Sequence, residues 1–194
     1  MTSEKQEVII AQTVEFVQQT LKHAEGGHDW FHIYRVHKNA VTLAKLETAD
    51  LFVVELAALL HDIADSKFHN GDESIGPLIA GNFLAEVGVD DSTILHVQRI
   101  IENISYKGGH VQVKFQSKEL DVVQDADRLD ALGAIGIARA FSYGGFKNRK
   151  LYDPEIKPDL HMDKETYKAS QAPTINHFYE KLLLLKDRMN TTAT

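Results

Sequence analysis

Cysteine is absent from the 194 residues, which excludes disulfides and thiolate metal sites. Any metal here has to be held by histidine, aspartate or glutamate. No apolar run of transmembrane length is present, nor an N-terminal apolar segment of the signal-peptide kind. A cytoplasmic location and no membrane partner are therefore expected. Positive charge is the scarcer sign: 21 Lys and Arg against 28 Asp and Glu give a formal net charge of -7. That balance argues against broad binding to a nucleic-acid polymer. It leaves open a small phosphorylated ligand, which needs only local cations. No internal repeat, low-complexity tract or interdomain linker is visible, so residues 1–194 are expected to form one domain.

What is there is mostly helix. Ile10, Val14, Val17 and Leu21 recur at helical spacing within residues 6–23. Gly26-Gly27 ends that pattern, and Asp29 is placed to cap a second helix reaching about Glu47. Its inner stripe reads His32, Val36, Ala40, Leu43. Asp50 can cap a third helix, Leu51 to about Ile63, apolar nearly all round apart from Glu55, as a central helix would be. A fourth follows Ser74, with Ile75, Ile79, Phe83 and Val87 inward, Pro77 in its first turn and Gly88 at its end. A fifth starts at Asp91 or Ser92 and turns Ile94, Val97, Ile101 and Ile104 inside. Val111, Val113 and Phe115 alternate, allowing a short extended piece. Ser117 caps a sixth helix whose inner line is Leu120, Val123, Asp127, Asp130 and Ala134. Residues 142–163, with Gly144-Gly145 and two prolines, read as a long loop. A last helix is expected over about 174–189. The expected fold is a single all-α bundle.

The informative residues are those that break these stripes. Leu56-Ala57-Ala58-Leu59-Leu60 is a buried run that ends in His61-Asp62. An unpaired carboxylate there would lose several kcal/mol or more of hydration, roughly. His32 and Asp127 break two other inner faces. Each has an ordinary explanation alone: a hydrogen-bonded core histidine, or an acceptor between helices. Together, two imidazoles and two carboxylates make a four-ligand set for a divalent cation, with Mn, Fe, Co, Ni or Zn suited better than Ca, and Mg admissible. Such an ion leaves positions for water and a phosphate oxygen.

The order His32, His61-Asp62, Asp127 resembles the HD-domain metal-dependent phosphohydrolases. His28-Asp29-Trp30-Phe31-His32-Ile33-Tyr34-Arg35-Val36 is similar to that family's opening segment. Ala58-Leu59-Leu60-His61-Asp62-Ile63-Ala64-Asp65 is similar to its core motif, and Val123 to Gly133, through Ala126-Asp127-Arg128-Leu129, to its closing helix. Tyr143-Gly144-Gly145 and Tyr152-Asp153-Pro154 resemble the small bacterial subgroup typified by the YpgQ and YedJ proteins. The core motif region spans about 28–131. The family commonly carries a further basic helix after the segment resembling Met189-Asn190-Thr191, whereas this sequence ends at Thr194.

The resemblance implies one metal, Mn favoured, on His32, His61, Asp62 and Asp127. It also implies hydrolysis of a phosphate ester or anhydride, with pyrophosphate release from a nucleoside triphosphate as the leading reaction. Asp65, about one helical turn past Asp62, is the candidate catalytic acid or base, or else a solvated loop aspartate. Arg35, Lys67 and Lys107 are candidate phosphate contacts, Arg35 first because a guanidinium fork suits phosphate. Asp130 is expected to hold a ligand histidine or Arg35 in place. His96 and His110 raise a second metal, which their spacing does not favour. The competing readings are a nucleotide sensor with little catalysis, a nucleoside monophosphate phosphatase or phosphodiesterase, and a purely structural metal. A homodimer is compatible with all of them.

Overall fold

The computed structural model describes residues 1–22, 24, 29–64, 72, 74–104, 115–163, 166 and 169–194. Among them the regular structure is all helical: α1 Ser3–Thr20, α2 Trp30–Glu47, α3 Leu51–Leu60, α4 Ile75–Glu86, α5 Asp91–Ile104, α6 Lys118–Asp130, α7 Gly133–Phe146, α8 Thr174–Glu180 and a 3-10 helix Leu182–Arg188. No helix among the described residues is long and apolar enough to cross a membrane.

α3 is the centre. The Asp50 carboxylate accepts the Phe52 and Val53 N–H groups at 3.0 and 3.2 Å, starting the helix at its first apolar residue. Leu56 to Leu60 are all fully buried, and α1, α2, α5 and α6 pack around them. Burial of leucines such as Leu56, Leu59 and Leu60 contributes roughly 1.5–3 kcal/mol each. Glu55, the one polar residue of the helix, accepts from His37 Nε2 at 3.1 Å.

Caps hold at Asp29, which accepts the His32 N–H, and at Ser117, which accepts the Leu120 N–H. At α4 Ser74 holds the N-cap position, but its N–H and hydroxyl donate to Asp72 and its side chain makes no capping bond. α5 starts at Asp91, as expected, and Asp90 before it accepts the Thr93 N–H. The α1 stripe is shifted by one residue. Ile9, Thr13 and Val17 are fully buried while Ile10, Val14 and Leu21 pack at its edge. Thr13 fits inside because its hydroxyl donates to the Ile9 carbonyl at 2.8 Å.

The larger corrections come after α6. That helix stops at Asp130 instead of continuing to Ala134, because the chain turns through Gly133 at φ +61°. The long loop expected from 142 begins later, since α7 extends to Phe146. Gly144 serves close packing rather than a turn, because a Cβ there would collide with Thr174 Oγ1. The helix expected over 174–189 is broken at Lys181. The alternating piece from Val111 lies, apart from Phe115, outside the described residues.

Candidate metal centre

α3 ends at Leu60, so His61 and Asp62 emerge where the buried helix stops. His61 Nδ1 lies 2.9 Å from the Ala58 carbonyl oxygen. A carbonyl oxygen only accepts, so Nδ1 donates, and in the neutral ring Nε2 carries the lone pair. Nε2 is buried and has no hydrogen-bond partner among the described residues. It faces Asp127 Oδ1 on α6, 3.8 Å away.

α2 supplies the second imidazole. His32 is 1% exposed, and its Nδ1 lies 2.8 Å from Asp130 Oδ2. The carboxylate accepts the Nδ1–H, which in the neutral ring leaves Nε2 as a lone-pair donor. His32 Nε2 stands 3.6 Å from Asp127 Oδ1 and 3.8 Å from Asp62 Oδ2. The two rings meet edge to face, centroids 5.4 Å apart.

These separations are too long for hydrogen bonds. They fit donors that share one ion, since ligands each about 2.1 Å from a cation lie at most about 4.2 Å apart. Ligand atoms of His32, His61 and Asp127 all lie within 4.8 Å of one another, so these three could form a metal site. Asp62 approaches from the α3 end on His32. Two neutral imidazoles and two carboxylates carry an excess of negative charge that a divalent cation offsets. The donor set therefore fits such an ion, by nitrogen and oxygen ligands alone.

Burial pushes the His32 pKa below its ordinary value, outweighing the opposing Asp130 hydrogen bond, so the ring stays neutral as a ligand must. Burial raises the Asp127 carboxyl, and positive charge on His61 and His32, where those rings are protonated, pulls it below its ordinary value; a divalent ion would act in the same sense. Asp130 is also raised by burial, and the hydrogen bonds from His32 and Arg35 overcome this and bring it to about 2.

Asp130 is the hub behind the centre. Besides His32 it accepts Arg35 Nε at 2.5 Å and Arg35 Nη2 at 3.0 Å, and Arg139 Nη1 at 2.9 Å. It thus holds both groups named for it in the sequence, the histidine and Arg35. Arg139 was not among the candidates. Its signal is that it is the only charged residue in Gly133–Phe146. Asp125 also escaped notice. It is fully buried and accepts the Asn190 N–H at 2.8 Å, the Thr191 N–H at 2.8 Å and Arg128 Nη1 at 3.1 Å, tying the C-terminal residues to α6. His96 sits elsewhere, 3.0 Å from Ser117 Oγ and 3.5 Å from Glu119. Asp65, Lys67, Lys107 and His110 lie outside the described residues.

Residues 30–132 match the HD domain model, a stretch that contains all four expected ligands, and the chain belongs to the HD domain family. Its relatives include the Bacillus subtilis protein YpgQ, 38% identical over 179 residues that make up 91% of this chain and 78% of YpgQ. The structure of YpgQ in complex with ADP superposes with a TM-score of 0.74 at 37% identity, covering 97% of this chain and 85% of that one. A Lactobacillus plantarum protein gives a TM-score of 0.83 at 38% identity, over 100% and 87% of the two chains. An HD-superfamily hydrolase from Bacillus thuringiensis gives 0.71 at 45% identity, over 97% and 86%. The all-helical fold matches these neighbours.

Proposed function

We propose that this chain is a divalent-metal-dependent phosphohydrolase of nucleotides, with release of pyrophosphate from a nucleoside triphosphate as its leading reaction. The observation that carries the reading is the buried, unpartnered Nε2 of His61, facing Asp127 beside the locked Nε2 of His32. The proposed ligands are His32, His61, Asp62 and Asp127. When bound, the ion (Mn favoured over Mg, Co, Ni, Fe and Zn) polarises a phosphoryl oxygen and acidifies water. Nucleotide as the substrate class is supported by the ADP complex of YpgQ, a relative aligned over most of both chains.

The remaining roles belong to the protein's own groups. Arg35 is held by Asp130 through Nε and Nη2, which leaves further guanidinium N–H groups for a phosphate, and its side chain is 34% exposed. Lys67 and Lys107 are proposed as further phosphate contacts on sequence position. Asp65, three residues beyond Asp62, is proposed to take the proton of the attacking water or to protonate the leaving oxygen. A cytoplasmic location accords with this substrate.

A nucleotide panel with Mn, Mg, Co and Ni, reading phosphate and pyrophosphate, tests the proposal. Metal-dependent pyrophosphate release is expected. Phosphate release from monophosphates instead would reassign the reaction. Tight nucleotide binding without product would make the chain a sensor.

A further inference from the structure

α7 carries a single charged side chain, Arg139, and the fold turns it back onto the end of α6. That helix stops at Asp130, and the chain reverses through Gly133 into α7. Gly136 lets the two helix ends approach closely, because a Cβ there would collide with the Ala131 carbonyl oxygen. Arg139 lies three residues on, along the same face of α7. Its Nη1 donates to Asp130 Oδ2 at 2.9 Å and reaches the Asp130 carbonyl oxygen at 3.4 Å.

One carboxylate oxygen is thereby shared three ways. Asp130 Oδ2 accepts from His32 Nδ1 at 2.8 Å, from Arg35 Nη2 at 3.0 Å and from Arg139 Nη1 at 2.9 Å. Asp130 Oδ1 accepts from Arg35 Nε at 2.5 Å. An ionised carboxylate offers about two lone-pair directions on each oxygen, so the three donors compete for Oδ2. Two guanidinium charges also face one carboxylate charge. Arg139 is the inner of the two, its side chain 18% exposed against 34% for Arg35.

This sharing changes what Arg35 can do. A guanidinium alone with one carboxylate forms a closed, neutral fork, and the carboxylate offsets its attraction for a second anion. A second guanidinium on the same oxygen divides the carboxylate's charge. Arg35 then keeps positive charge on its exposed side, in partly buried surroundings where charges a few ångströms apart act strongly on one another.

We propose that Arg139 is a positioning residue for phosphate binding, which by sharing Asp130 Oδ2 leaves Arg35 available to the anionic end of the substrate. The inference rests on the reading of Arg35 as a phosphate contact and adds the residue that makes that contact effective.

The test is a double-mutant cycle, read by calorimetric titration of the full chain, loaded with Mn, against ADP. The variants are Arg139→Met, Arg139→Lys, Arg35→Met and the Arg35→Met, Arg139→Met pair. Asp130 keeps His32 and Arg35 when Arg139 is replaced, and circular dichroism checks that the fold persists. Arg139→Gln, which keeps an amide donor and loses the charge, takes the place of Arg139→Met in the cycle if that variant does not fold. ADP binding should weaken roughly three- to thirtyfold in Arg139→Met, as for coupled neighbours, and be largely restored in Arg139→Lys. Mn affinity should not fall, because removing a cation leaves Asp130 more negative behind His32. In the Arg35→Met background the same change at Arg139 should shift ADP affinity by less than about twofold.

ADP affinity of Arg139→Met within about twofold of wild type overturns the proposal. So does an equal loss in both backgrounds, which would mean that Arg139 acts without Arg35. A fall in Mn affinity as large as the fall in ADP affinity also overturns it, since bracing of His32 would then explain both. Arg35→Met decides the underlying reading separately. If it binds ADP as wild type does, the phosphate role of Arg35 fails and the role of Arg139 with it. If it weakens ADP binding while Arg139→Met does not, the role of Arg139 alone fails.

Discussion

His32 Nδ1 lies 2.8 Å from Asp130 Oδ2, joining α2 to α6 through two residues that are 1% and 5% exposed. The same carboxylate binds Arg35 and Arg139. One aspartate therefore sets the tautomer of a proposed ligand and the position of a proposed phosphate contact. Replacing it by asparagine preserves shape and removes the charge that holds the Nδ1 proton. Asp130→Asn is expected to weaken Mn binding roughly 10- to 100-fold, as loss of the group behind a ligand histidine does. Calorimetric titration with Mn measures this, with circular dichroism as the folding control. Unchanged Mn affinity would show that Asp130 braces the helices without serving the centre.

Acid acts on the same pair. Burial depresses the His32 pKa below 6.5, and hydrogen bonds from His32 and Arg35, overcoming burial, hold Asp130 at about 2 rather than 3.8. In both cases the unfolded chain takes up the proton at a higher pH than the folded chain. Protons in these windows therefore favour unfolding, and stability rises with pH through them. The metal-free protein is expected to lose thermal stability as pH falls below about 6.5 and again between about 4 and 2. Because other carboxylates titrate in the lower window, the Asp130→Asn variant isolates that step. The difference between its melting temperature and that of wild type should shrink as pH drops toward 2. A constant difference across that range would contradict the assignment.

Asp125 carries a structural prediction. Asp125→Ala leaves the Asn190 and Thr191 N–H groups and the half-buried Arg128 without their acceptor. A destabilisation of about 3 kcal/mol is expected, as for breaking a buried charged network. At this chain length that lowers Tm by roughly 6–12 °C. Differential scanning calorimetry reads it directly. A shift within about 1 °C would mean that the C-terminal residues add nothing to the fold.

The bundle and the centre were legible in the sequence to different depths. Helices with a polar start and a regular stripe, such as Asp50 before α3 or Asp29 before α2, were readable because cap and period agree. The proposed ligand set rests on His32, His61-Asp62 and Asp127, each of which interrupts an apolar face, and the structure brings ligand atoms of His32, His61 and Asp127 within 4.8 Å of one another. Asp125 was not. Its partners are backbone amides more than 60 residues away, and no local pattern marks a carboxylate that tertiary contacts will bury. Gly144 misled for a related reason. A Gly-Gly pair reads as a turn, whereas Gly144 lies inside α7 and makes room for Thr174. The break at Lys181 was hidden because Ile175, Phe178, Leu182 and Leu185 keep helical spacing through it. The residues past it are held on α6 by Arg128 and Asp125, long-range contacts that no local pattern marks.

The central claim is that the lone pair of His61 Nε2 serves a metal on which nucleotide hydrolysis depends. The direct measurement is phosphorus NMR of a nucleoside triphosphate incubated with Mn and either wild type or His61→Ala, each checked for fold by circular dichroism. Wild type is expected to convert the triphosphate to monophosphate and pyrophosphate, and the folded His61→Ala variant to leave it intact, as does wild type after chelation. Equal turnover by the two proteins, or turnover by wild type undiminished by a chelator, would contradict the account.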